Sequence, residues 1–159
     1  MRVPWLLISL TFLFSCSDEG PGSAAVRNLG IEISVYDDQG TDLLTTEYID
    51  LEYIRLYHLI NNEPELYYDV FRDSPYGYAV YQKNDSNIIA IGGHYDGKSK
   101  EQETIIQWSP EDSDTLKYSI SRNSSGSVVL ITEVWFNGES LWDDSIDDLM
   151  HIEIIKDWQ

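Results

Sequence analysis

From Ile31 onward the apolar residues recur with a period of two, and almost every run is closed by Asn, Asp, Gly, Pro or Ser. A period of two places alternate side chains on opposite faces of an extended chain, so it fits half-buried β-strands and excludes amphipathic helices as the main element. Ile31, Ile33 and Val35 alternate with Glu32, Ser34 and Tyr36, and the turn Asp37-Asp38-Gln39-Gly40 ends that run. The pattern repeats over Tyr53–Ile60, Leu66–Phe71, Tyr76–Gln82, Asn87–Ile91, Thr104–Trp108, Thr115–Arg122, Val128–Phe136 and His151–Ile155. About nine strands in a folded unit from Leu29 to Gln159 predict an all-β domain. The first expectation is an antiparallel β-sandwich, immunoglobulin-like or related; a small lipocalin-like barrel with a ligand cavity is the alternative.

The sharpest local signal is Asn137-Gly138, which suits a two-residue type I′ hairpin turn with both centres at positive φ. It predicts a register in which Phe136 faces Glu139, Trp135 faces Ser140, Val134 faces Leu141 and Glu133 faces Trp142. One face of that hairpin then carries Leu130, Val134, Phe136 and Leu141, and the other Ile131, Glu133, Trp135 and Trp142. A single short helix is expected over Asp144 to Met150, capped through Ser145 and Asp148.

The first residues follow a different logic. Arg2 precedes a twelve-residue apolar run, Val3 to Phe14, then Ser15 and Cys16. That run is short of the roughly 20 residues needed to span a bilayer and reads as a secretory signal over residues 1–15. Cys16 is the only cysteine, so no disulfide forms within the chain, and a lone thiol in an exported protein is best explained by modification. Residues 17–28 are small, acidic or Gly/Pro-rich and are expected to tether the domain about 20 Å from an anchor at Cys16.

Leu13-Phe14-Ser15-Cys16 resembles a bacterial lipobox, departing from it in the bulk of Phe14, and Ser17-Asp18-Glu19 resembles the acidic export tag of surface lipoproteins of the Bacteroidota. The resemblance implies lipidation of Cys16, membrane attachment through that anchor and display on the outer membrane. Ile31 to Tyr36, Thr41 to Leu44 and Val134 to Gly138 together resemble small uncharacterised lipoproteins of the same group, which implies a location and a β-rich fold only.

Composition narrows the partners. With 28 acidic against 10 basic residues and a net charge of −18, the chain lacks the Lys/Arg patch on which nucleic-acid affinity depends, so no nucleic-acid partner is expected. The acidic turns are expected to be solvated hairpin tips rather than calcium sites; in Asp37 to Asp42 the glycine is fourth, where an EF-hand loop needs it sixth. His58, His94 and His151 are far apart and form no zinc-binding pair, so no metal or cofactor is expected. There is no Gly-x-Ser-x-Gly elbow and no phosphate-cradling Gly-x-x-x-x-Gly-Lys loop.

Aromatic residues make up 13% of the chain. Trp135 and Trp142, flanking Glu133 on one hairpin face, form a candidate stacking platform with a hydrogen-bonding carboxylate; Tyr67, Tyr68, Tyr76, Tyr78 and Tyr81 form a second dense stretch. Strand cores bury the same residues, and protein interfaces are enriched in them. The expectation is therefore a non-enzymatic binding or accessory module for a glycan or a protein. A small carboxylate-based glycoside hydrolase and a passive envelope protein are the alternatives.

Overall fold

A computed structural model describes residues 26–45, 49–145 and 150–157. The signal segment, Cys16 and the first part of the expected tether lie outside the described residues, as does most of the helix expected at Asp144 to Met150.

Among the described residues eleven strands form two sheets. In chain order they are β1 (Val26–Asn28), β2 (Gly30–Tyr36), β3 (Arg55–Ile60), β4 (Glu63–Leu66), β5 (Tyr78–Lys83), β6 (Ser86–Gly92), β7 (Glu101–Ser109), β8 (Asp112–Arg122), β9 (Val128–Phe136), β10 (Glu139–Asp143) and β11 (His151–Ile155). The larger sheet runs β1-β9-β8-β7-β3-β4, with β10 sharing the β1 edge of β9; the smaller runs β11-β2-β6-β5. Both sheets are open, so the architecture is a β-sandwich and the barrel alternative falls.

Four expectations are corrected. The sheets are mixed, because β1 pairs parallel with β9 and β11 parallel with β2. The folded unit already includes β1, inside the segment expected to be tether. The strand expected at Leu66–Phe71 is instead β4, which follows β3 through Asn61-Asn62, both at positive φ. Both of those residues are asparagine, among the side chains that best tolerate such a turn. Residues 51–53 form a 3-10 turn capped by Asp50, whose Oδ1 accepts from Glu52 N at 3.0 Å, so β3 starts only at Arg55.

The core lies between the sheets. Ile31, Ile33 and Val35 of β2, Ile89 and Ile91 of β6, and Ile152 and Ile154 of β11 face Leu56, Ile106, Trp108, Leu116, Tyr118, Val134 and Phe136. Each such side chain contributes about 1.5–3 kcal/mol by leaving water. Bulges set which residues of β9 and β10 join them. Ser119 pairs with Glu133 but Ile120 pairs with Ile131, so Thr132 is an extra residue that reverses the phase of β9. Val129 and Ile131 point inward before it, and Val134 and Phe136 after it.

One close approach ties β1–β2 to the loop after β6. Gly93 N donates to Leu29 O at 2.6 Å, and a Cβ on Gly93 would lie 2.8 Å from that oxygen. Because the clash is with backbone, Gly93→Ala is expected to cost about 1–3 kcal/mol, read as a lower urea midpoint with an unchanged m-value.

Candidate functional site

The hairpin turn forms at Asn137-Gly138, and its first two pairs, Phe136 with Glu139 and Trp135 with Ser140, are the expected ones. Beyond them the register departs from expectation. Leu141 is an extra residue in β10, so Trp142 pairs with Val134 and Asp143 with Glu133. This turns Trp142 into the core, 5% exposed, while Trp135 and Glu133 stay half-buried on the outer face of the larger sheet. The two tryptophans therefore form no common platform.

Trp135 acquires other neighbours. Glu103, Lys117, Trp135 and Ser140 form one cross-strand row over β7, β8, β9 and β10. Lys117 Nζ lies 5.3 Å from the Trp135 ring centroid and 2.8 Å from Glu101 Oε2. The hydrogen bond to Glu101, helped by the charges of Glu103 and Glu133, raises the Lys117 pKa above its ordinary value.

The row leads into a groove of about 370 Å³ at one end of the sheet. It exists because the β3–β7 ladder stops at His58–Thr104, although β3 continues to Ile60 along β4 and β7 begins at Glu101. Asn61 and Asn62 close one side, Asp96 another, and Glu101, Gln102, Glu103 and Lys117 line the rest. Asp96 is fixed by its own loop: its carboxylate accepts from the Ser99 hydroxyl at 2.6 Å and from the Lys98 and Ser99 amides at 2.7 and 2.8 Å. Those bonds hold its carboxyl well below the usual range. Gln102 is 6% exposed, and its buried Nε2 makes no close hydrogen bond, although its side chain faces Asp96 and helps to lower that carboxyl. An unmade donor of this kind costs about 1–3 kcal/mol unless something else accepts from it.

Across His94 a second cavity of about 300 Å³ is lined by His58, Tyr67, Arg72 and Tyr95. His58 is 6% exposed and points inward, its Nδ1 2.9 Å from Thr104 Oγ1. His94 follows Gly92-Gly93 in a loop, and stacks on His58 at 4.9 Å and 24°. Tyr67 meets His58 edge-on at 5.4 Å. Burial, with a smaller contribution from His94, lowers the His58 pKa from 6.5 to about 4, so the ring is neutral at ordinary pH. The Tyr118 hydroxyl fixes His94 from below, accepting from its N at 2.6 Å and donating to its O at 3.1 Å.

His151 lies elsewhere, on the smaller sheet with Ser34 and Glu32. The acidic turns satisfy local backbone amides: Asp37 accepts from Gln39 and Thr41, and Asp143 from Ser145. Among the described residues no three His, Cys, Asp or Glu converge as metal ligands. Of the groove residues, Asn61-Asn62 carried a readable turn signal, whereas Gln102 and Asp96 carried none. Comparison with protein-family models, with curated proteins and with solved structures finds no match.

Proposed function

We propose that this chain is an exported, lipid-anchored, non-enzymatic binding module that takes a neutral glycan in the groove between β3 and β7. The observation that carries the reading is the buried Gln102 amide, which faces Asp96 across the groove without a close hydrogen bond. A sugar hydroxyl both accepts and donates, so it can satisfy Gln102 while donating to Asp96 or Glu103. An anionic ligand would meet the Asp96, Glu101 and Glu103 carboxylates. Trp135, one step along the row past Lys117, offers a ring for stacking. The lipobox-like Leu13 to Cys16 and the acidic residues after it support anchoring at Cys16 and display on the outer membrane.

Titration calorimetry against a panel of neutral oligosaccharides tests the groove. Gln102→Leu is expected to weaken binding about tenfold, since one hydrogen bond contributes about 1 kcal/mol or slightly more, and Trp135→Ala to weaken it as well. Absence of binding across the panel, or binding untouched by both variants, rejects the reading, and cleavage of a bound oligosaccharide replaces it with the hydrolase alternative. Anchoring is tested separately by mass spectrometry of the native membrane fraction and protease treatment of intact cells. Acyl chains on Cys16, absent in Cys16→Ala, and removal of the domain by protease are the expected results.

A further inference from the structure

On β2 the period of two that sends Ile31, Ile33 and Val35 inward sends Glu32, Ser34 and Tyr36 to the outer face of the smaller sheet. The parallel pairing sets His151 opposite Glu32 and Glu153 opposite Ser34, so an imidazole from the other end of the folded unit joins that row. Ser34 Oγ lies 3.2 Å from His151 Nε2, and His151 Nδ1 lies 3.6 Å from Glu32 Oε2. A hydroxyl, an imidazole and a carboxylate thus follow one another, each ring nitrogen facing one partner.

The carboxylate sets the direction of the proton. Burial raises the Glu32 pKa, but hydrogen bonds from Lys83 at 2.5 Å and Tyr81 at 2.6 Å outweigh it, so Glu32 is ionised and only accepts. His151 Nδ1 then carries the proton of the neutral ring, which leaves Nε2 to accept from the Ser34 hydroxyl. A serine nucleophile needs that polarity, and it is recognised by geometry rather than by the order of residues in the chain. Ser34, 1% exposed at the surface, lines a cavity of about 420 Å³ together with Tyr36, Lys83, Asn84, Ser86 and Ile88.

Two features select the electrophile. Glu32 and Glu153 neighbour Ser34 and Lys83 is held by Glu32, so a neutral acyl donor is favoured over an anionic one. Glu32 N donates to Met150 O at 3.0 Å, and by alternation the Ser34 amide also points to β11, which pairs with β2 as far as Tyr36. The backbone at Ser34 is therefore committed to the ladder and gives no amide to a developing oxyanion. Without it only a carbonyl with a good leaving group reacts, and the plain serine ester that results hydrolyses slowly. We propose that Ser34 is a covalent acceptor that takes the acyl group of a neutral, activated ester and keeps it. Ser34 Oγ bonds to the acyl carbon as its proton passes to His151 Nε2; the bond from that carbon to the leaving oxygen breaks, and the leaving group departs with the proton. Glu32 is a positioning residue, acting through the ring. The inference is independent of the groove and adds no turnover to a non-enzymatic module.

The test treats the purified full-length chain with p-nitrophenyl acetate, a neutral activated ester. The expected result is a burst of p-nitrophenol equal to the amount of protein, and an acetyl group that peptide mass spectrometry places on Ser34. Ser34→Ala keeps the fold, since it removes a single hydroxyl, and abolishes the burst. His151→Asn slows acylation at least about 100-fold, the low end for loss of a general base. Glu32→Gln slows acylation at saturating ester and leaves the half-saturating concentration unchanged, a split that a purely structural role would not produce. No burst, acetyl groups on lysine or histidine but not on Ser34, or acylation of Ser34 indifferent to His151→Asn each overturn the proposal. Steady release of p-nitrophenol after the burst overturns retention of the acyl group and makes the site an esterase instead.

Discussion

Replacing Asp114 with alanine is expected to destabilise the fold by about 3–5 kcal/mol, the range for removing one partner of a buried ion pair. Asp114 joins four separate parts of the chain. Its Oδ2 accepts from Trp108 Nε1 at 2.7 Å, its Oδ1 accepts from Asn137 Nδ2 at 2.7 Å, and Lys156, just beyond β11, pairs with it. Trp108 is fully buried and Lys156 is 9% exposed, with its ammonium 5.4 Å from the Trp108 ring centroid. The alanine leaves a buried indole N–H without its acceptor and takes from the Lys156 ammonium one of its two carboxylate contacts, the other being Asp112 at 3.0 Å. Because Lys156 follows the smaller sheet and Asp114 sits in the larger, the loss loosens the contact between sheets. Asp114→Asn retains an acceptor for Trp108 and is expected to cost less. Urea denaturation of both variants measures the difference, and a cost below about 1 kcal/mol for the alanine would mean that Asp114 is not what holds Lys156 and Trp108 in place.

The second large effect is a loss of stability in mild acid caused by His58. An unfolded histidine takes up its proton near pH 6.5, whereas burial beneath His94 and Tyr67 delays this to about 4 in the folded protein. Between those values the unfolded state binds more protons, so stability falls as pH falls, by up to about 3 kcal/mol for a shift of this size. His94, the Tyr67 ring and Thr104 pack on His58, while Glu65, opposite it across the β3–β4 ladder, is exposed, so burial and His94 set the direction of the shift. Below about pH 4 a second loss follows as lowered carboxyls take up protons. Asp96 is one. Glu32 is another, where burial pushes the carboxyl up but hydrogen bonds from Lys83 and Tyr81 outweigh it. Thermal melts from pH 7 to 3 are expected to show both limbs, and His58→Asn to flatten only the upper one. An upper limb that survives in His58→Asn would assign it to another group.

Legibility in the sequence followed the range of the interaction. The run Ile31, Ile33, Val35 was readable because a strand with one buried face writes its period directly into the chain, and all three are buried. The hairpin turn was readable because Asn137 and Gly138 answer to their own backbone angles. Trp142 was misplaced because a single extra residue, Leu141, reverses every face beyond it, and nothing in Ser140-Leu141-Trp142 announces a bulge. The parallel pairing of β11 with β2 was equally hidden, since those strands are joined only through most of the chain.

By itself the sequence determined an all-β domain, its principal turns and a strongly acidic composition, since each depends on composition or on residues a few positions apart. Only the tertiary structure decided the two mixed sheets, the phase of β9 and β10, the stacking of His58 on His94 and the groove where β3 parts from β7. Each of these is set by contacts between residues distant in the chain, whose energies appear only when separate strands are packed against one another.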